Sequence, residues 1–275
     1  MSPRLCLEVW GGNPADLVAI ACHAEGVGID GVYLGESPTA LNAETWTTLG
    51  AVTVATERIR VGPVIANLLP DYRSAALLAK QGSALASLGG GRFDFRTGVG
   101  AARPAGRAWW GSAGVDYPDY RQRLAEAERQ LMHLRTVWDH ASHPRIEITI
   151  AASSARAWAL ADRFGDRWET SFATIDEWSE RAAQAPPQLR TSLEIDAFVG
   201  SEKDPDLVWR HVAATRRGED LAAIHARALI GSPRTVAAKL RALRDAGIHQ
   251  IVAAPHDPND YDAISRLAEA KLLAG

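Results

Sequence analysis

The most constraining feature of this sequence is one strand–helix–strand unit in its first half. Residues 58–66 are rich in β-branched side chains and predict a strand. Residues 71–88 place apolar side chains at three- and four-residue spacing and predict a helix, which a run of three glycines ends. Residues 92–97 predict a second strand, followed by Gly98-Val99-Gly100. Such a unit requires parallel strands and a right-handed crossover.

The same unit recurs along the chain at a spacing of roughly 30 residues, the length of a βα module. The eight predicted strands are 5–10, 31–34, 58–66, 92–97, 146–151, 167–172, 192–199 and 249–254. A helical stretch follows each strand, so the pattern predicts a (β/α)8 TIM barrel, as a single domain of residues 1–275. A doubly wound open sheet is the alternative.

Several helix starts carry capping signals. Asn13-Pro14 and Ser232-Pro233 pair a capping side chain with a proline in the first turn, and Thr174 with Glu177 has the spacing of a capping box. Residues 101–116, which include Trp109-Trp110, are predicted to be loop, and 117–139 an amphipathic helix. Residues 200–227 are expected to form one or two short helices.

Composition excludes several classes of function. The 275 residues carry a net charge of -3, with no basic footprint for nucleic acid and no apolar run long enough for a membrane span. The start of the chain lacks the features of a signal peptide, so we expect a cytoplasmic location. Cys6 and Cys22 are expected to be buried free thiols. His140 and His143 lie on a link that leads into a strand, at the wrong end of a barrel, and we expect no metal site.

In a barrel of this kind the functional site lies at the carboxyl ends of the strands. Residues 151–154, Ala-Ala-Ser-Ser, are the most interpretable, because small residues, hydroxyls and a helix N-terminus suit a phosphate. An ordinary serine N-cap is the alternative. The residues that this position selects are Glu8, Trp10, Glu36, Ala66, Asn67, Thr97–Gly100, Ala151–Ser154, Phe172, His256 and Asp257.

The other candidates at the strand ends allow two interpretations each. Gly98-Val99-Gly100 lacks the third glycine of a dinucleotide fingerprint, but it either makes room for a flat ring or forms a plain turn. Glu36 is a base, a hydrogen-bond partner for a ligand, or a solvated loop carboxylate. His256 is a general acid, a phosphate ligand, or a surface histidine. Trp109 and Trp110 are candidates for a ring-stacking wall or for the core.

Three blocks of this sequence resemble the bacterial luciferase-like flavin and deazaflavin oxidoreductases. The first runs from Arg58-Ile59-Arg60-Val61-Gly62 to Gly98-Val99-Gly100, and the second from Ile148 to Asp166 through Ala151-Ala152-Ser153-Ser154. The third runs from Gly231-Ser232-Pro233 to Pro255. Their order and spacing together carry the resemblance, which spans most of the chain.

The resemblance implies a barrel that binds the deazaflavin coenzyme F420, or alternatively FMN, across the strand ends. Ala151 to Ser154 would hold the cofactor phosphate, with Ala152, Ser153 and Ser154 closest to it. Ile65, Ala66 and Asn67 would back the ring, at a point where members often have a non-prolyl cis peptide. Thr97, Gly98, Val99 and Gly100 would line the opposite edge. Family members are commonly homodimers.

This chain departs from the family pattern in two respects. Deazaflavin dehydrogenases often carry histidine and tryptophan after the second strand and glutamate after the fourth, where this chain has Glu36, Ala40 and residues 101–103. The insertion region is also short, which predicts an open pocket. The first hypothesis is hydride transfer between F420 and a small organic substrate, with Glu36 and His256 as candidate catalytic groups. A reduced-FMN monooxygenase that uses O2 and a non-catalytic flavin-binding barrel are the alternatives.

Overall fold

A computed structural model describes residues 2–38, 43–69, 71–101, 103–216 and 218–275. All strand pairs in these residues are parallel. The strands follow the order β3-β2-β1-β9-β7-β6-β5-β4, and bridges from Val61 to Phe93 and from Ala66 to Thr97 join β3 to β4. The strands are β1 (Arg4–Val9), β2 (Gly31–Gly35), β3 (Arg60–Val64), β4 (Asp94–Gly98), β5 (Glu147–Ala151), β6 (Arg167–Ser171), β7 (Arg190–Val199), β8 (Leu229–Gly231) and β9 (Gln250–Pro255).

Eight of these strands therefore form a nearly closed barrel, which confirms the predicted fold class over the open sheet. The short strand β8 pairs only with the end of β7 and lies outside the ring. Helices alternate with the strands: α1 (Pro14–Val27), α2 (Thr45–Ala55), α3 (Ala75–Leu88), α4 (Arg103–Gly111), α5 (Tyr120–Asp139), α6 (Ala155–Phe164), α7 (Ile175–Ala182), α8 (Leu207–Thr215), α9 (Leu221–Arg227), α10 (Pro233–Asp245) and α11 (Tyr261–Ala274).

The predicted caps are present. Asn13 caps α1, the Thr174–Glu177 capping box starts α7, and Ser232 caps α10. Two features of the structure differ from the predicted pattern. The stretch with Trp109 and Trp110 is helix α4 rather than loop, and β8 was not predicted. None of the described helices is long and apolar enough to cross a membrane.

Side chains on the two faces of each strand form two separate clusters, a large apolar one against the helices and a small one inside the barrel. Leu5, Leu7 and Val9 of β1 belong to the large apolar cluster shared with the helices, whereas Cys6 belongs to a small cluster with Tyr33, Val64 and Val252. Because side chains alternate between the two faces of a strand, Cys6 and Glu8 face the barrel interior.

The barrel interior is rich in charged and polar groups. Near the amino ends of the strands, Asp94 accepts hydrogen bonds from Arg60 and from the Tyr33 hydroxyl, the latter at 2.7 Å. Glu147 pairs there with Arg190 at 2.7 Å and Arg167 at 3.2 Å. These ion pairs close the amino end of the barrel. The carboxyl end holds the cavity described below.

Candidate cofactor and active site

A cavity of about 320 Å³ opens at the carboxyl ends of β4, β5 and β6. It brings together seven of the predicted cofactor-binding residues from three separate parts of the sequence. They are Ile65, Gly98, Val99, Gly100, Ala151, Ala152 and Ser153. Ala101, Glu169, Thr170, Ser171 and Arg181 complete the lining. The remaining predicted residues, Ala66, Asn67, Thr97 and Ser154, are not part of the lining.

The N-terminus of α6 forms one end of this cavity. The Ser154 side chain accepts from the Ala157 N–H at 3.3 Å and caps the helix, and its hydroxyl also lies 2.8 Å from that of Tyr120. Ser153 is exposed in the cavity lining. Within the described residues, the backbone N–H groups of 153–156 have no hydrogen-bond acceptor. Free donors and the helix dipole suit a phosphate here.

Arg181 adds a positive charge to the same cavity. It reaches back from α7, and its Nη1 donates to the Thr170 hydroxyl at 2.6 Å. The guanidinium retains further donors for an anion, since it has five N–H groups. Sequence reasoning missed Arg181, because nothing in the local sequence of α7 shows that this helix leans over the end of β6.

Ile65 and Gly98 form the apolar wall where the ring was predicted. The peptide bond between Val64 and Ile65 is cis, at the point that the family resemblance indicated. A Cβ on Gly98 would lie 3.2 Å from Ile65 Cδ1 and 3.2 Å from Ala151 Cβ, so glycine allows the two strands to present a close, flat surface. Behind it, the Thr97 hydroxyl donates to the Ala66 carbonyl at 2.7 Å. The residues present fit a flat ring that carries a phosphate.

Glu36 lies beside the cavity rather than in its lining. Its carboxylate is buried, forms an ion pair with Arg73, and accepts from Trp46 Nε1 at 2.7 Å and from the Asn67 backbone N–H at 2.6 Å. These contacts fix the turn that follows Ile65. The geometry gives Glu36 a positioning role, and its predicted catalytic role stays a prediction. Ala40 and Ala102, named in the departures from the family pattern, lie outside the described residues, as do Leu41, Asn42 and Pro70.

His256 also lies apart from the cavity. It is exposed after β9, with its ring 6.1 Å from that of His211 and 6.3 Å from that of Phe198. Partial burial and the neighbouring His211 and Arg216 lower the pKa of His256. The structure does not bring His256 together with Glu36 or the phosphate site, and its catalytic role stays a prediction.

Trp109 and Trp110, which were predicted to form either a ring-stacking wall or part of the core, lie in different environments. Trp110 is buried with its ring 4.8 Å from that of Tyr72. Trp109 is half-buried, and its ring lies 6.2 Å from that of Trp10. A Cβ on Gly35 would collide with the Trp10 ring, which therefore packs directly over the end of β2.

A group of charged side chains lies in the barrel interior next to the cavity, and sequence reasoning missed most of it. Arg96 Nη2 donates to both oxygens of Glu169 at 2.6 Å, and Ser192 donates to Glu169 at 2.7 Å. Ser171 donates to Glu194 at 2.8 Å. The signal was present as alternation, because polar side chains recur at every second position: Arg167, Glu169 and Ser171 of β6, and Ser192, Glu194 and Asp196 of β7.

This group includes two carboxyls with perturbed titration. Burial raises the pKa of Glu8, even though hydrogen bonding by Trp10 and the charge of Arg96 oppose it. Burial, together with the charges of Glu8 and Glu169, raises the pKa of Glu194 well above its usual value. Perturbed carboxyls beside a cavity are typical of functional sites.

Fold and site together define a nearly closed parallel barrel with a cavity at the carboxyl ends of its strands. The family model for luciferase-like monooxygenases matches residues 8–222, and the chain belongs to that family of F420- or FMN-dependent oxidoreductases and monooxygenases. Among curated proteins, it is 28% identical over 142 residues to an F420-dependent glucose-6-phosphate dehydrogenase of Amycolatopsis mediterranei. That match covers 46% of this chain and 38% of the relative.

Among solved structures with the same fold, one contains an F420 adduct and another contains FMN. An F420-dependent secondary alcohol dehydrogenase, in complex with an F420-acetone adduct, superposes with a TM-score of 0.79 at 16% identity over 100% of both chains. The oxygenating constituent of 3,6-diketocamphane monooxygenase from Pseudomonas putida, in complex with FMN, gives 0.72 at 17% identity over 98% of this chain and 97% of that one. At these identities the likeness shows the fold alone.

Proposed function

We propose that this protein transfers a hydride between coenzyme F420 and a small organic substrate. The observation that carries the proposal is a single cavity that joins an apolar wall, Ile65 and Gly98, to the free N–H groups at the start of α6. The wall fits a flat ring and the helix start fits its phosphate. The curated relative, an F420-dependent dehydrogenase, favours the deazaflavin over FMN.

Different residues of this chain would bind the phosphate and the ring of the coenzyme. Ser153 and the α6 N-terminus would hold the phosphate, with Arg181 supplying the cationic charge. Ile65 would support the ring, and the Glu36–Arg73 pair would fix the turn behind it. When bound, the coenzyme supplies the hydride chemistry, and the protein supplies orientation and electrostatics.

An anaerobic binding titration tests this function. The protein is titrated with F420, with FMN, and with the phosphate-free forms of both ring systems, and binding is followed by absorbance and fluorescence. We expect F420 to bind most tightly and the phosphate-free deazaflavin to bind much more weakly. Reduction of bound F420 by a panel of alcohols, or its reoxidation by carbonyl compounds, then tests turnover.

Two results would overturn the proposal. Tight binding of FMN, with O2 consumption by the reduced complex and no affinity for F420, would establish the monooxygenase alternative. Binding without exchange of electrons with any substrate in the panel would establish a non-catalytic flavin-binding barrel. Equal affinity for the phosphate-containing and phosphate-free rings would separately refute the role of the α6 N-terminus.

A further inference from the structure

The carboxyl end of the barrel interior holds more negative charge than its contacts neutralise. Glu169 is matched by Arg96, whose Nη2 contacts both of its oxygens. Glu8 and Glu194 face the barrel interior from β1 and β7, the two strands that flank β9, and within the described residues no cation forms an ion pair with either of them. Two buried carboxyls that face the same interior without a cation to pair with cannot both ionise at low cost, so we expect such a pair to share a proton.

The contacts of the pair support a shared proton. Glu8 is only 6% exposed; one of its oxygens accepts from Trp10 Nε1, and the other has no hydrogen-bond donor among the described residues. A proton held between Glu8 and Glu194 would satisfy that oxygen. Glu194 accepts from Ser171 at 2.8 Å, and Ser171 lines the cavity. A short path therefore leads from the carboxyl pair to the cavity.

We propose that the Glu8–Glu194 pair is the proton store of this enzyme and that Ser171 passes its proton into the cavity. The inference rests on the proposed function. It supplies a proton donor beside the cavity, since Glu36 pairs with Arg73 and His256 lies away from the cavity. The fitting substrates are compounds whose reduction requires a proton on a heteroatom, such as ketones, aldehydes and imines.

The proposed step balances in atoms and electrons. In reduction, bound F420 would supply the hydride, and with it both electrons, for the new C–H bond at the carbonyl or imine carbon. The Ser171 hydroxyl, which donates to Glu194 in the free protein, reverses this hydrogen bond: it accepts a proton from Glu194 and gives its own to the substrate oxygen or nitrogen. The carboxyl pair is left doubly ionised and regains its proton from solvent. Oxidation of an alcohol runs the same transfers in reverse, and the pair accepts the proton.

The groups that surround the pair determine its pH dependence. Arg96 of β4 and Glu169 of β6 face it with opposite charges, Trp10 donates to Glu8, and Ser171 donates to Glu194. β9 faces it with Val252, which carries no charge. The reductive rate is expected to fall as the pH rises through the value at which the pair loses its proton, and the oxidative rate is expected to rise over the same range.

A spectroscopic experiment on the cofactor-free protein tests the shared proton by itself. The protein is labelled with glutamate that carries 13C at the side-chain carboxyl, and the carboxyl resonances are followed by NMR across the pH range. We expect a carboxyl that remains protonated at neutral pH and is absent in both Glu8→Gln and Glu194→Gln. If every glutamate titrates with the exposed ones, the inference is overturned, whichever cofactor the protein binds.

A kinetic experiment tests the path to the cavity. Glu194→Gln is expected to lower the rate of carbonyl reduction by about 10²–10⁴-fold and to remove the high-pH limb of the profile, without loss of F420 affinity. Ser171→Ala should act in the same direction, and Ser171→Thr should restore the rate because it keeps the hydroxyl. Thr149→Val is the control, since it removes a buried interior hydroxyl that contacts Arg167 rather than the carboxyl pair.

The outcomes separate the two proposals. An unchanged rate and pH profile in Glu194→Gln, with F420 bound and turned over, would overturn the proton store but not the function. Absence of F420 binding in the unmodified protein would overturn the function, and the NMR titration would still decide whether the pair holds a proton. A rate loss in Ser171→Ala that Ser171→Thr does not restore would exclude the hydroxyl as the carrier.

Discussion

Replacement of Glu36 by glutamine distinguishes a structural role of this residue from the catalytic role that its position in the sequence suggests. Glu36 and Arg73 form an ion pair in which their side chains are 1% and 7% exposed. The Glu36 carboxylate also accepts from Trp46 Nε1 and the Asn67 backbone N–H. Glutamine keeps the size and one acceptor oxygen of this side chain, but it removes the charge that neutralises Arg73.

The expected cost follows from the burial of the pair. Removal of one partner from a buried ion pair typically costs about 3–5 kcal/mol, because the remaining charge stays buried without its partner. Glu44 lies 3.6 Å from Arg73 but is mostly exposed, so it offsets only part of this loss. We therefore expect Glu36→Gln to lower the free energy of unfolding by about 3 kcal/mol. Arg73→Gln on this background should cost less than it does alone.

The assay is equilibrium unfolding in urea, followed by tryptophan fluorescence, in parallel with the F420 titration. Glu128→Gln is the matched control, since Glu128 pairs with Arg163 on the surface and such pairs contribute about 0–1 kcal/mol. A change for Glu36→Gln no larger than that of the control would refute the structural reasoning. An unchanged stability combined with loss of turnover would instead establish Glu36 as a catalytic group.

Three further predictions concern the phosphate site, the amino end of the barrel and the cysteines. Ser153→Asp places a negative charge at the α6 N-terminus, and F420 affinity measured by titration should fall at least about 10-fold, whereas Ser201→Asp on an exposed loop should leave it unchanged. Burial raises the pKa of Glu147, but the Arg190 hydrogen bond and the charge of Arg167 outweigh it and lower the pKa to about 2. The stability that Glu147 contributes is thus fully present above its unfolded pKa and lost as the pH falls towards 2, and Glu147→Gln should flatten the acid limb of stability against pH. Burial raises the pKa of the Cys6 thiol to about 12, so a thiol reagent should modify one cysteine, the exposed Cys22, in the native protein and two in denaturant.

The fold was predictable because its signals are local and repeat. Caps such as Ser232-Pro233 and runs of β-branched residues act within a few positions, and their recurrence at a βα spacing defines a barrel. Helix α4 was missed because its glycines indicate a loop. A Cβ on Gly106 would collide with the Tyr117 ring, so this glycine is required by a contact made outside its own helix. Cys22 was expected to be buried, but it lies on an exposed face of α1.

The site was predictable only where one segment carries its whole signal. Ser153 and Gly98 stand at strand ends and follow from the fold class. Arg181 and Glu194 do not, since each becomes relevant through another element: Arg181 because it contacts Thr170 of β6 beside the cavity, and Glu194 because Glu8 of β1 faces the same interior. The charge state and role of a carboxyl on a strand do not follow from its own segment. They depend on whether a cation or a second carboxyl faces it from another strand of the barrel.

The two ends of the barrel interior differ in one respect that composition does not show. At the amino end, Asp94 and Glu147 each contact arginine, and this pairing closes the barrel. At the carboxyl end, Arg96 pairs with Glu169, while Glu8 and Glu194 have no such partner among the described residues. The Ser171 hydroxyl, which lines the cavity, contacts Glu194. A purely structural network gains nothing from unmatched buried carboxyls, because their desolvation reduces stability. The excess of carboxyls at the end where the cavity opens therefore favours a role in proton transfer over a role in holding the barrel together.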